Sequence, residues 1–228
     1  MFTLDQVVPW GRSFDEYRRM FGLTDEDLGR TIVGCGDGPA SFNAEMTRRG
    51  GRVVSCDPLY RWETADIRAR ITATSDQVLD QTRRNADEFE WGGDIGSVEE
   101  LGQVRMRAMN AFLRDYESGR LAGRYVEAEL PALPFSDGTF DLALCSHLLF
   151  LYSSQLGETF HCAAIQEMCR VAAEVRIFPL LELGGRRSPY VESSVSELRS
   201  SGYAVSIEQV PYEFQRGANQ MLRVVVKS

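Results

Sequence analysis

Thr31-Ile32-Val33-Gly34-Cys35-Gly36-Asp37-Gly38-Pro39-Ala40-Ser41-Phe42 sets three glycines on alternate positions directly behind a short β-branched run. The run reads as a buried strand over Arg30 to Val33, and the glycines read as a turn. A helix follows over Ala40 to Arg49, closed by Gly50-Gly51. Arg52 to Cys56 then reads as a second strand, ending at Asp57-Pro58. Strand, glycine turn, helix and strand within about thirty residues form a βαβ unit, which implies a parallel sheet.

Two nucleotide-binding patterns compete for the turn. The dinucleotide fingerprint G-x-G-x-x-G, counted from Gly34, needs its third glycine where Pro39 stands. The pattern present is G-x-G-x-G, which turns the backbone sharply toward a ligand that need not carry phosphate. At the end of the second strand, Asp57 is placed to accept hydrogen bonds from the vicinal hydroxyls of a ribose, as acids do at this point of adenosine-binding α/β folds.

Upstream, residues 13–29 read as one or two short amphipathic helices, with Ser13 and Thr24 as N-caps, folding over the end of the first strand. Downstream, Arg61 to Arg120 turns charged and helical, broken once at Trp91 to Gly96. Its second helix opens on a capping box of Ser97 and Glu100. This segment is several times longer than a crossover requires. Strand rhythm returns over Arg124 to Ala128, Phe140 to Cys145 and Glu174 to Phe178, with helices over Leu156 to Ala172 and Tyr190 to Ser200. The last two strands, Ala204 to Val210 and Met221 to Lys227, follow each other without a helix, which predicts an antiparallel pair at one side of the sheet.

The 228 residues suit one α/β domain spanning 1–228, and 43% hydrophobic residues supply an ordinary core. A net charge of -8 argues against nucleic acid as a partner, and the short basic pairs Arg83-Arg84 and Arg186-Arg187 read as solvated surface. Five cysteines without a C-x-x-C pair suit a reducing cytoplasm. The opening MFTLDQVVPWGRSFDEY lacks the basic-then-apolar order of a secretory leader, and no run approaches the roughly 18 apolar residues of a membrane span. No histidine and carboxylate cluster has metal-ligand spacing.

The stretch ELPALPFSDGTFDLALCSHLLFLY, Glu129 to Tyr152, supplies a third motif: an acid behind a strand, a Leu-Pro-Phe loop, a Ser-Asp-Gly turn and a strand opening on Phe-Asp. With GCGDG and Asp57 ahead of it, the chain resembles the class I S-adenosylmethionine-dependent methyltransferases over most of its length apart from the 61–120 segment. The resemblance implies a three-layer Rossmann-like methyltransferase fold, with a mostly parallel seven-stranded sheet whose last strand is antiparallel. It also implies S-adenosyl-L-methionine as cofactor and methyl transfer to a small or medium-sized acceptor. Carried onto this sequence, it places Gly34, Cys35, Gly36 and Gly38 under the methionine and ribose portion, with Asp57 on the ribose hydroxyls. Glu129 then accepts from the adenine amino group, and the Leu130 N–H meets the ring. Ser146 and His147 border the methyl-transfer site, where His147 is the candidate general base and Tyr152 a candidate for orienting substrate. His161 reads as a satisfied helix-face histidine, and Met106 and Met109 as core.

One position departs from the family pattern. The acid usual two residues before the first glycine is Ile32 here, so Glu45 or a residue of the N-terminal helices must replace it, or cofactor affinity falls. That gap keeps open a non-catalytic cofactor-binding or scaffolding protein on the same fold. The helical insertion, residues 61–123, reads as a lid or substrate wall, and equally as a surface for a homodimer.

Overall fold

The computed structural model describes residue 2, residues 7–93 and residues 95–226. The first two helices, α1 (Phe14–Met20) and α2 (Asp25–Leu28), each start on a reciprocal capping box. Ser13 exchanges hydrogen bonds with Glu16, and Thr24 with Asp27. The glycine-turn unit follows as β1 (Thr31–Cys35), α3 (Phe42–Arg48) and β2 (Arg52–Cys56). Gly34 therefore belongs to the strand, and the turn begins at Gly36, whose φ is 72°.

The long charged segment forms α4 (Thr64–Arg84) and α5 (Val98–Leu121). Ser97 caps the Glu100 N–H as expected, but the capping box is not reciprocal, because the Glu100 carboxylate accepts from the Gly96 N–H instead. The chain continues through β3 (Tyr125–Val126), β4 (Phe140–Ser146), α6 (Glu158–Val171), β5 (Ala172–Phe178), α7 (Val191–Ser200), β6 (Ala204–Gln209) and β7 (Gln220–Val225). The expected strand over Arg124 to Ala128 shrinks to two residues, because it pairs only with Ser55 and Cys56 at the sheet edge. The expected last strand ran to Lys227, which lies outside the described residues.

The seven strands form one sheet in the order β3-β2-β1-β4-β5-β7-β6. β7 runs antiparallel to both neighbours, and the remaining pairs are parallel. This is the mostly parallel sheet with an antiparallel last strand that the resemblance implies. Side chains alternate across it. Val33, Ala143, Cys145 and Ile177 pack on one face against α6 and α7, while Ile32, Leu142 and Leu144 pack on the other with Phe14 and Tyr17 of α1 and Phe42 of α3.

The segment between β2 and β3 serves two purposes. The last turns of α5 pack beside α3 and β3, with Phe112 and Tyr116 meeting Tyr60 and Tyr125, so α5 doubles as the crossover helix that the parallel pair needs. α4 folds back on α5 through Ile67 and Ile71, and Met109 is wholly buried in that seam. Among the described residues no helix is long and apolar enough to cross a membrane.

Candidate functional site

A cavity of about 840 Å³ opens beyond the C-terminal ends of β1, β2 and β4. That is where open α/β sheets leave backbone groups and strand-end side chains facing a crevice. Cys35, Gly36, Gly38, Asp57, Glu129, Leu130, Ser146, His147 and Tyr152 all line it. Gly34 does not. A Cβ on Gly34 would stand 1.9 Å from Oδ2 of Asp37, so this glycine makes room for a carboxylate within the protein.

Asp37 is the acid that reading the sequence missed. Its Oδ1 accepts from the Tyr17 hydroxyl at 2.8 Å, and its Oδ2 accepts from the Ser55 hydroxyl. Burial raises its pKa to about 6, against the pull of those two hydroxyls, and nearby Asp57 adds to the rise. Glu45, expected to stand in for the missing acid at Ile32, does not reach the cavity. One turn of α3 places Arg48 and Arg49 beside it, and it pairs with both at 2.6 Å. From the N-terminal helices Tyr17 of α1 lines the cavity, and its hydroxyl donates to Asp37.

Asp57 sits at the end of β2 as the N-cap of a short 3-10 turn, accepting from the Gly38 N–H at 2.8 Å and the Leu59 N–H at 2.7 Å. Burial, aided by Glu129, raises it to about 6 in spite of those bonds. The glycine turn and the strand-end acid are thus joined directly. Glu129 is exposed at the cavity rim, and Leu130 is buried.

His147 has a φ of 53°, the one positive value of a non-glycine residue among those described. Its N–H donates to the Phe178 carbonyl at 2.7 Å, and its Nδ1 lies 2.9 Å from the Ser146 hydroxyl. Burial, then the positive charges of Arg12 and Arg105, hold its pKa well below the usual value, so the imidazole is neutral. Tyr152 is buried in an apolar wall with Leu151, Val78 and Phe89. His161 is only half satisfied: its Nδ1 meets the Gly157 carbonyl at 3.0 Å, while Nε2 is buried without a partner among the described residues.

The helical segment contributes Arg70, Val78, Leu101 and Arg105 to the cavity wall. Arg70 stacks on Trp62 with its guanidinium 4.1 Å from the ring centre. Arg105 is wholly buried and pairs with Glu16 at 2.6 Å, and Glu16 also accepts from the Tyr212 hydroxyl at 2.9 Å. Arginine and burial push the Glu16 carboxyl in opposite directions, and the pair wins, leaving it at about 2. Arg105 had a sequence signal. It falls on the apolar stripe of Leu101, Ala108 and Phe112, where a solvated charge does not belong. Among the described residues no group of three or more His, Cys, Asp or Glu side chains is arranged to hold a metal ion.

No family model matches the chain. The uncharacterised protein MJ0045 of Methanocaldococcus jannaschii is 32% identical over 221 residues, covering 96% of this chain and 96% of that one. This chain belongs to the same family. Solved structures of similar architecture include a SAM-dependent methyltransferase of Aquifex aeolicus, 16% identical, with a TM-score of 0.43 over 92% of this chain and 87% of that one. Another is the magnesium protoporphyrin IX methyltransferase of Synechocystis, 12% identical, with a TM-score of 0.47 over 94% of this chain and 91% of that one.

Proposed function

We propose that this member of the MJ0045 family is an S-adenosyl-L-methionine-dependent methyltransferase acting on a small acceptor. The observation that carries the reading is the half-buried carboxylate of Asp57. It stands at the C-terminal end of β2, faces the cavity, and is tied to the glycine turn through the Gly38 N–H.

The residues present fit an adenosyl cofactor. Gly36 and Gly38 hold φ values of 72° and 52°, conformations a side chain resists, and so present bare backbone to the cavity. Asp57 would accept from the ribose hydroxyls, Glu129 from the adenine amino group, and the Leu130 N–H would meet the ring. Asp37 offers a carboxylate for the amino group of the methionine portion. That supports an intact site over a decayed, non-catalytic one, because Ile32 is one of the two grounds for that alternative, the other being the lack of an assured general base. Bound there, the cofactor supplies an electrophilic methyl group.

Transfer by in-line displacement asks the protein for alignment and exclusion of water more than for proton chemistry. The apolar wall around Tyr152, to which α4 contributes Val78, and the lining that α5 adds through Leu101 and Arg105 support the reading of residues 61–123 as a lid or substrate wall. His147, neutral and beside Ser146, is in the form that accepts a proton, at the strand end nearest the acceptor space. A net charge of -8 favours a small-molecule acceptor over nucleic acid.

Calorimetric titration tests the assignment. Binding of S-adenosylmethionine and S-adenosylhomocysteine, lost in Asp57→Ala, is expected. Binding of NAD alone would revive the dinucleotide reading, and binding of none would favour a scaffold.

A further inference from the structure

The cavity is lined by groups of both charges. Asp37 and Asp57 stand on the glycine turn and at the end of β2; burial and Asp57 raise the first, and burial and Glu129 the second. Arg12 and Arg105 line the same cavity, near His147 and Tyr212.

Neither guanidinium is fully used. Nη1 of Arg105 donates to both oxygens of Glu16 at 2.6 Å, while its buried Nε and Nη2 have no partner among the described residues. Nη1 of Arg12 donates to the Trp10 carbonyl at 2.6 Å, and its buried Nε likewise has none. Glu16 is already committed: it also accepts from the Ser13 N–H and from the hydroxyls of Ser13 and Tyr212. Two guanidinium charges thus share one carboxylate, and the neighbouring His147 is neutral. Buried donors of this kind are normally satisfied, and the partner a guanidinium takes best is an anion with more than one oxygen. The surroundings are apolar, formed by Val8, Leu151 and Phe214.

We propose that Arg12 and Arg105 bind the anionic group of a mainly apolar methyl acceptor, such as a carboxylate on a hydrophobic or aromatic body. The word acceptor rests on the methyltransferase reading; the anion site rests on the two arginines. Arg105 reaches the cavity from α5, so the helical segment selects the acceptor by charge as well as by covering it. The carboxylate at the methionine end of the cofactor is the competing source of the same chemistry, and the experiment separates the two.

The full chain is titrated with the fluorescent apolar anion anilinonaphthalene sulfonate and with the uncharged phenylnaphthylamine, each with and without saturating S-adenosylhomocysteine. The expected result is a preference for the anion of about tenfold or more, the scale of one charge-assisted hydrogen bond. Arg12→Gln is expected to remove most of that preference while binding S-adenosylhomocysteine as the parent does. Because Arg105 also holds Glu16, Arg105→Met is the second variant, read only after its circular dichroism matches that of the parent. Equal affinity for the charged and uncharged probes overturns the proposal. So does loss of the preference on adding S-adenosylhomocysteine together with weakened nucleoside binding in Arg12→Gln, which assigns the arginines to the cofactor. Failure of S-adenosylhomocysteine to bind at all sinks the methyltransferase reading, and the probe preference still decides the anion site.

Discussion

Asp37→Asn should make the protein more stable and a poorer cofactor binder, with a pH dependence that can be worked from the structure. Burial raises the Asp37 carboxyl from an ordinary 3.8 to about 6, which corresponds to roughly 3 kcal/mol of penalty on its ionised form. The sign follows from proton counting. The folded state holds this proton more tightly than the unfolded chain, so the cost is absent below 3.8, grows as pH rises toward 6, and is constant above. Asparagine has the same shape, fits against Gly34, and never ionises. Its amide can accept from only one of the two hydroxyls that Asp37 takes, Tyr17 and Ser55. Tyr17 then turns its proton toward the neighbouring Ser146, and a rearranged hydrogen bond costs about 1 kcal/mol. Asp37→Asn should therefore gain about 2 kcal/mol at pH 8 and lose about 1 kcal/mol near pH 4, the difference of the two terms above. Urea denaturation at the two pH values reads both numbers. On the proposed function, calorimetry at pH 8 should show S-adenosylmethionine bound roughly ten- to a hundredfold more weakly, for the loss of one charge-assisted bond. A stability difference that does not change with pH would refute the account of Asp37 as a buried, costly carboxylate.

Gly34→Ala should destabilise by about 1–3 kcal/mol or more through overpacking, since its Cβ would meet the Asp37 carboxylate at 1.9 Å. In an Asp37→Ala background most of that loss should vanish, a non-additivity that thermal denaturation of the double-mutant set measures. Arg105→Met leaves Glu16 buried without its cation and should cost about 3–5 kcal/mol at pH 7. Glu16 falls from 4.5 to about 2 on folding, so the pair stabilises above 4.5 and its contribution fades as pH falls toward 2. The Arg105→Met penalty, followed by urea denaturation, should therefore shrink between pH 7 and pH 3. Cofactor affinity should drop below about pH 6 as Asp37 and Asp57 take up protons, and Asp57→Asn should bind more weakly but with a shallower pH dependence by calorimetry.

What the sequence made legible was local. Ser13 and Thr24 announce their helices because a cap and its partner lie within one turn, and both cap as expected, each closing a reciprocal box besides. The βαβ unit and the long helices were readable for the same reason: period and punctuation are short-range. Its place on the apolar stripe of α5 marked Arg105 as a buried charge, but not as a cavity residue, because its partner Glu16 lies 89 positions away. Glu45 misled because an acid in the right region says nothing about its face, whereas Arg48 and Arg49, three and four positions on, claim it for the surface. Asp37 lay inside the quoted motif and was still missed. Its role depends on the turn folding back over Gly34 and on hydroxyls brought by α1 and β2, none of which the spacing of glycines reports.

The oddity at Ile32 then has a physical sense. Ile32 is wholly buried in an apolar and aromatic cluster with Tyr17, Phe42 and Leu142, the layer that seats α1 and α3 on the sheet. A carboxylate on that side chain would be stripped of water among groups that donate it nothing, a cost that ordinary pairing does not recover. Asp37 places its acid at the cavity wall instead, where Tyr17 and Ser55 donate to it and Gly34 gives it room. On the proposed function the acid stands on the turn rather than the strand, and the strand position serves packing. In that arrangement the hydroxyl of Tyr17 belongs to the binding site while its ring, stacked 4.5 Å from that of Phe42, belongs to the core. The N-terminal helix therefore supports the cavity twice, through Tyr17, which holds Asp37, and through Glu16, which holds Arg105.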